Sequence, residues 1–248
     1  MLAEIYLDAG RPLKAAQVWG SLLKRRPQDP RPYQELGRAL EEAGDYARAR
    51  QVYLAGRERT AAAYFGCFPH LLRVPDMPFP ARSRRPPKDP VNVLLSLGYT
   101  LLANALHTQV MVAGLDPYLG CLHAPDYGRP SLVLDLMEEF RPVLVDTLVL
   151  QLVNNRIIQP RDFFYPQDRE PAAFDFAETE PAREGYPILL GHTGLKKFVT
   201  YFERRLNHKV FYLPRGERLT YRGVLLAQVR AFIRTLEEDA PYQPFKLR

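Results

Sequence analysis

Between Val91 and Leu115 the chain runs for 25 residues without an Asp, Glu, Lys or Arg, and such a stretch belongs either in a bilayer or at the centre of a core. Asn92, Ser96, Asn104, His107 and Gln109 interrupt it. These polar groups are costly in lipid, and no aromatic belt flanks the run on both sides. A buried helix is therefore expected, opened by Asp89-Pro90 as N-cap and first-turn proline and ended at Gly114. Leu94, Leu95, Leu97, Leu101, Leu102, Leu106 and Val110 wrap most of its circumference, which makes it the central helix of the fold.

A helix buried all round needs a sizeable protein around it. The chain supplies 248 residues, 46% of them hydrophobic and 25% charged, a composition that excludes wholesale disorder and fibrous repeats. Two cysteines, Cys67 and Cys121, are too few for a disulfide scaffold and are not spaced as metal ligands, so a reducing, cytoplasmic setting is expected. The first twenty residues carry Glu4, Asp8, Arg11 and Lys14 with no apolar h-region, and no secretory signal is read there. The net charge of +6 and pI near 9.3 suit phosphate-rich partners without requiring them.

Shifting the first sixty residues by 34 places Leu2 on Leu36, Ala9 on Ala43, Gly10 on Gly44 and Ala15 on Ala49. Tyr33, Leu36, Gly37, Leu40, Gly44, Ala49 and Tyr53 alternate large and small, and Pro27 closes the first unit. On these positions residues 1–56 resemble tetratricopeptide repeats, in which small residues let paired helices approach while Trp19, Tyr33 and Tyr53 fill the groove. Leu2 already stands at a mid-helix consensus position, so the first repeat opens part-way through its first helix.

Seven of the 23 prolines fall between Phe68 and Pro90, which rules out a continuous helix and leaves a flexible linker or an extended strap. This segment also carries Arg82, Arg84, Arg85 and Lys88 with no acidic residue from 81 to 88, a cluster able to bind phosphate. A second apolar helix is expected from Ser131 to Asn155, bent at Pro142, followed by an acidic, proline-containing insertion at 161–186 that is expected to be mobile. Two further helices, Thr193–Leu206 and Thr220–Glu238, flank a turn with Pro214 and Gly216. The count predicts an all-α protein.

Asp135 and Glu138 lie three residues apart, so they share one face of an otherwise apolar helix. Carboxylates in such a setting need a cation, a metal or a hydrogen-bonding network. His123, in a Gly/Pro loop just before that helix, is placed to complete a mixed set that suits Mg²⁺ or Mn²⁺ better than zinc. The ordinary alternative is that an Asp and a Glu at helix spacing simply face water.

The stretches Asp89-Pro90-Val91-Asn92-Val93-Leu94-Leu95-Ser96-Leu97-Gly98-Tyr99, Ala113-Gly114-Leu115-Asp116-Pro117-Tyr118-Leu119-Gly120 and His123 through Pro142 resemble the helical catalytic domain of the CRISPR-associated adaptation integrase, the Cas-one family. Arg84-Arg85-Pro86-Pro87-Lys88, Leu219-Thr220-Tyr221-Arg222 and Gln228-Val229-Arg230 fit the same pattern, and the likeness covers 57–248. The resemblance implies a metal-dependent DNA endonuclease and integrase of CRISPR spacer acquisition. It implies Mg²⁺ or Mn²⁺, double-stranded DNA, a small adaptation partner protein and a homodimer. It assigns metal binding to His123 and Glu138, with Asp135 as the neighbouring acid in the catalytic set.

Two positions depart from the pattern. The family writes the central helix as Gly-Tyr-Thr-Leu-Leu, one variable residue, Asn, then a ligand Glu, whereas this chain has Gly98-Tyr99-Thr100-Leu101-Leu102-Ala103-Asn104-Ala105. Ala105 stands where the glutamate would, and its methyl group coordinates nothing, so catalysis is expected to be impaired. The family also begins with a β-rich domain that helps form its dimer, and nothing before Gly56 alternates with period two. Homodimerisation thus loses its expected basis. Arg84, Arg85, Arg129 and Arg222 are the candidates for DNA backbone contacts. The alternative reading is a non-catalytic scaffold joining a repeat hairpin to a degenerate nuclease domain. A membrane-surface role is disfavoured, because the basic residues are scattered rather than set in an amphipathic stripe.

Overall fold

A computed structural model describes residues 2–84, 86–123, 126–165, 188–238 and 242–246. The chain forms two compact units, one ending at Phe68 and one beginning at Pro69. The first holds α1 (Leu2–Asp8), α2 (Pro12–Arg25), α3 (Arg31–Glu42) and α4 (Tyr46–Cys67), each packed on the next. Its core is Ala3, Ala15, Ala16, Trp19, Leu36, Ala39, Leu40 and Ala49. The 34-residue shift reappears in the helix ends. Gly10 and Gly44 both take positive φ, +66° and +76°, and the hydrogen bonds Arg11 N–H to Tyr6 O and Asp45 N–H to Leu40 O are equivalent at 2.8 Å. α4 carries the chain past position 56 without a break.

In the second unit the proline-rich segment is a strap with its own anchors. Val74, Met77 and Phe79 are buried. Asn92 binds the strap through Ser83 N–H at 2.9 Å and Ala81 O at 2.8 Å, and Asn154 receives Arg73 N–H at 2.8 Å. Arg85 and the basic-cluster reading at that position lie outside the described residues.

The central helix α5 (Pro90–Val112) forms as its sequence predicts. Asp89 caps it by accepting Asn92 N–H at 2.9 Å, and Gly114 follows its end with φ +80°. Val91, Leu94, Leu95, Gly98, Leu102, Leu106 and Val110 are buried, while Leu97 and Leu101 are only half-buried. Around α5 pack α6 (Ser131–Met137), a π-helical segment (Arg141–Asp146), α7 (Thr147–Asn154) and α9 (Tyr221–Glu238), with α8 (His192–Leu206) against α7 and α9. The expected bend at Pro142 is this π segment, where a proline without N–H cannot continue the α-helical ladder.

The all-α expectation needs correction to mostly helical. Phe163–Phe164 (β1) pairs antiparallel with Leu189–Leu190 (β2), so the expected insertion opens on a 3-10 turn at Pro160–Asp162 that leads directly into sheet. The turn around Pro214 and Gly216 is the tip of a ribbon, Lys209–Tyr212 (β3) against Glu217–Thr220 (β4). The remainder of the acidic insertion, 166–186, lies outside the described residues. Among the described residues no helix is long and apolar enough to cross a membrane, and both cysteines are free thiols.

Candidate active site

The loop between α5 and α6 folds around one carboxylate. Asp135 accepts the backbone N–H groups of Cys121 at 2.7 Å, Leu122 at 2.8 Å and His123 at 2.9 Å. It also binds Nδ1 of the His123 imidazole. Gly120 makes this close approach feasible, because a Cβ there would sit 2.8 Å from Asp135 Oδ2 and 2.6 Å from Ser131 Cβ. His123 itself is buried. This contact fixes the orientation of the imidazole ring.

Glu138 follows the end of α6 and faces a different group. Its Oε1 lies 3.4 Å from Arg141 Nη2. The Arg141 guanidinium stands 4.9 Å from the centre of the Tyr99 ring, and Arg82 stands 5.5 Å from the same ring. Tyr99 donates its hydroxyl to the buried Asp146 at 2.6 Å. Burial, reinforced by Asp146, pushes the Tyr99 hydroxyl well above its usual range. Arg82 is held by Asn92 Oδ1 at 2.7 Å and Ser96 Oγ at 3.2 Å, so this basic residue of the strap is built into the fold.

The structure thus joins His123 to Asp135 and joins Glu138 to Arg141. Ala105 is half-buried on α5, beside the exposed Asn104. Among the described residues no group of three or more His, Cys, Asp or Glu is arranged to hold a metal ion. Of the arginine candidates, Arg84 is exposed, Arg129 half-buried, and Arg222 forms an ion pair with Glu203 at 2.7 Å.

Sequence reasoning missed Glu139. This carboxylate accepts Tyr242 O–H at 2.8 Å, Gln228 Nε2–H at 3.2 Å and the backbone N–H of Phe245. Burial holds its carboxyl above the usual range, while those hydrogen bonds pull it back down. Gln228 also receives Tyr212 O–H at 2.6 Å, so the β3–β4 ribbon, α9 and residues 242–245 meet at the chain neighbour of Glu138. The only sequence signal was Gln228 in an otherwise apolar run.

A family model described as "CRISPR associated protein Cas1" matches residues 15–174. The chain belongs to the Cas1 family. The CRISPR-associated endonuclease Cas1 3 of Thermus thermophilus is 43% identical over 217 residues, 87% of this chain and 59% of the relative. A Cas4 exonuclease/Cas1 endonuclease fusion of Geobacter sulfurreducens is 35% identical over 203 residues, 80% of this chain and 33% of the fusion. The chain therefore spans between a third and three-fifths of the length of these relatives. A casposase bound to its integration product superposes with TM-score 0.65 at 26% identity, over 79% of this chain and 50% of the casposase. A Cas1 protein of Thermotoga maritima gives TM-score 0.65 at 24% identity over 93% and 65% of the two chains, a likeness of fold. In this Cas1-family chain the matched span starts within α2, in the first unit, and ends in the segment after β1.

Proposed function

We propose that this chain works on double-stranded DNA in CRISPR spacer acquisition, as an endonuclease/integrase whose own catalysis is impaired. The observation that carries the reading is the contrast between the intact His123–Asp135 pair and the methyl group of Ala105 on the helix where the family places a ligand carboxylate. The described donors do not fit a resident Mg²⁺ or Mn²⁺. Four hydrogen bonds already occupy Asp135, Glu138 faces Arg141, and Ala105 brings no oxygen.

In this reading the exposed Arg84, with Arg85, Arg129 and Arg222, contacts backbone phosphates and sets register on the duplex. His123, Asp135 and Glu138 are the remnant of the catalytic set, with His123 and Glu138 as the metal-side pair and Asp135 orienting the imidazole. The likeness to a casposase holding its integration product supports the DNA substrate. A small adaptation partner and a homodimer belong to the same proposal and rest on family membership alone.

We also propose residues 1–56 as a tetratricopeptide-like segment and 57–248 as the integrase-like domain. The matched helix ends at Gly10 and Gly44 support the repeat. Ala105 favours the second reading, a non-catalytic scaffold.

Strand joining decides between them. Full-length protein and Ala105→Glu are incubated with Mn²⁺, a labelled short duplex and a repeat-containing target, and joined product is resolved on a gel. The integrase reading expects little joining by the native chain and a clear rise with Ala105→Glu. Efficient joining by the native chain would refute impairment, and absence of both joining and DNA binding would leave the scaffold.

A further inference from the structure

The 34-residue correspondence makes α1 and α3 equivalent helices, yet the same face is exposed in one and buried in the other. Leu2 and Ile5, three residues apart and so on one face of α1, are 57% and 62% exposed. One repeat on, Leu36 and Ala39 of α3 are buried, in a core shared with Ala15, Ala16 and Trp19 of α2, and α2 packs directly on α3. The far end of the unit is finished differently. There α4 turns Arg48, Gln51 and Arg59 to solvent, the polar surface that closes a stack of helical hairpins. Charge also separates the two kinds of helix. α2 carries Lys14, Lys24 and Arg25 with no acid, whereas α1 carries Glu4 and Asp8 with no base. Glu4 is shared with Arg31 at 3.8 Å, and Asp8 is exposed.

We propose that the Leu2/Ile5 face of α1 docks a partner protein through an amphipathic helix of the α2 type, with an alanine-and-aromatic stripe flanked by lysine or arginine. Translating the α2-on-α3 contact by one repeat lays such a helix on α1. Its stripe then packs on Leu2 and Ile5 as Ala15, Ala16 and Trp19 pack with Leu36 and Ala39, and its bases meet the acidic side of α1. A second copy of this chain is a poor occupant. Face to face it sets Glu4 and Asp8 against their own equivalents, head to tail it offers the polar side of α4, and its own α2 stripe is already buried against α3. The two carboxylates likewise disfavour a phosphate backbone. This inference goes beyond the integrase reading and rests on the repeat reading of residues 1–56.

The probe is a fluorescein-labelled peptide of the α2 sequence, Pro12–Arg25, stapled between the exposed positions Gln17 and Ser21 so that the cost of helix nucleation does not mask the contact. It is titrated by anisotropy against the full chain and the double variant Leu2→Gln/Ile5→Gln, whose exposed positions should leave the melting temperature unchanged. The native chain should bind it saturably. The double variant should weaken binding by about tenfold or more, and so should Trp19→Ala within the peptide. Asp8→Asn should reduce the salt dependence of binding. Equal binding to the native chain and the double variant would place the peptide elsewhere and overturn the proposal. Binding that needs Leu2 and Ile5 but tolerates Trp19→Ala in the peptide would overturn the repeat register from which the α2 type is read, while leaving an apolar docking edge. No binding by the native chain would overturn the docking and leave the repeat reading standing. A concentration-dependent dimer in sedimentation, lost in the double variant, would assign the face to a second copy instead.

Discussion

Oδ1 of Asp135 binds both ends of one residue: the backbone N–H of His123 at 2.9 Å and Nδ1 of its imidazole. The same carboxylate, through Oδ2, holds the two preceding amides. Ring orientation and loop conformation therefore depend on a single side chain. Asp135→Asn keeps the shape but replaces one acceptor oxygen with a donor facing N–H groups. Hydrogen bonds to a charged group are worth about 1.5–3 kcal/mol each, so urea unfolding should show a loss of about 3 kcal/mol. NMR of the His123 ring should show it released; an unmoved midpoint and ring signal would contradict this geometry.

Ala105→Glu should be tolerated. Ala105 is half-buried rather than in the core face formed by Leu102, Leu106 and Val110, so the new carboxylate keeps access to water and should cost no more than about 1 kcal/mol. Calorimetric titration should then show tighter Mn²⁺ binding than in the native chain. A much less stable variant without that gain would mean this turn of α5 faces away from His123 and Glu138.

Two glycines in the first unit should respond differently to alanine. At Gly37 a Cβ would lie 2.3 Å from Cε1 of Tyr53, the far end of a ring that can swing. At Gly56 it would lie 2.7 Å from Cβ of Tyr33, the root of a buried side chain. Alanine gains about 1 kcal/mol of helix propensity at either site, but overpacking that cannot relax costs about 1–3 kcal/mol. Thermal melts should therefore place Gly56→Ala below Gly37→Ala.

Asp89→Ala should cost about 2 kcal/mol. It removes the α5 cap and the 2.6 Å acceptor of the buried Asn92 amide. The native residue should also mark the pH profile. Burial holds the Asp89 carboxyl above its ordinary range despite the opposing Asn92 hydrogen bonds. The folded state thus grips this proton more tightly than the unfolded chain. The associated stabilisation is complete below the ordinary carboxylate range and is lost as pH rises through the raised value. Unfolding measured across that interval should show this decline in the native protein and a flatter profile in Asp89→Ala.

The central helix was legible because its causes are local: a capping Asp, a first-turn Pro, an uncharged apolar run and a terminal Gly all act within neighbouring turns. The same holds for the 34-residue shift, which marked Gly10 and Gly44 as equivalent before their positive φ was seen. The ribbons were not legible. β3 offers four residues of alternation, and β1 pairs with a strand 25 residues away from Phe164 in sequence, at Leu189, so only the surrounding fold makes either pairing worthwhile.

By itself, then, the sequence determined the helical framework and the family, and it singled out His123, Asp135, Glu138 and Ala105 as candidates. Only the tertiary structure decided how those side chains are used. Glu138 and Glu139 are adjacent and chemically alike, yet one meets Arg141 and the other is buried under Gln228, Tyr242 and Phe245. The divergence arises where α6 gives way to the π segment, because the direction of a side chain at a helix end is set by the elements packed against it rather than by its place in the chain.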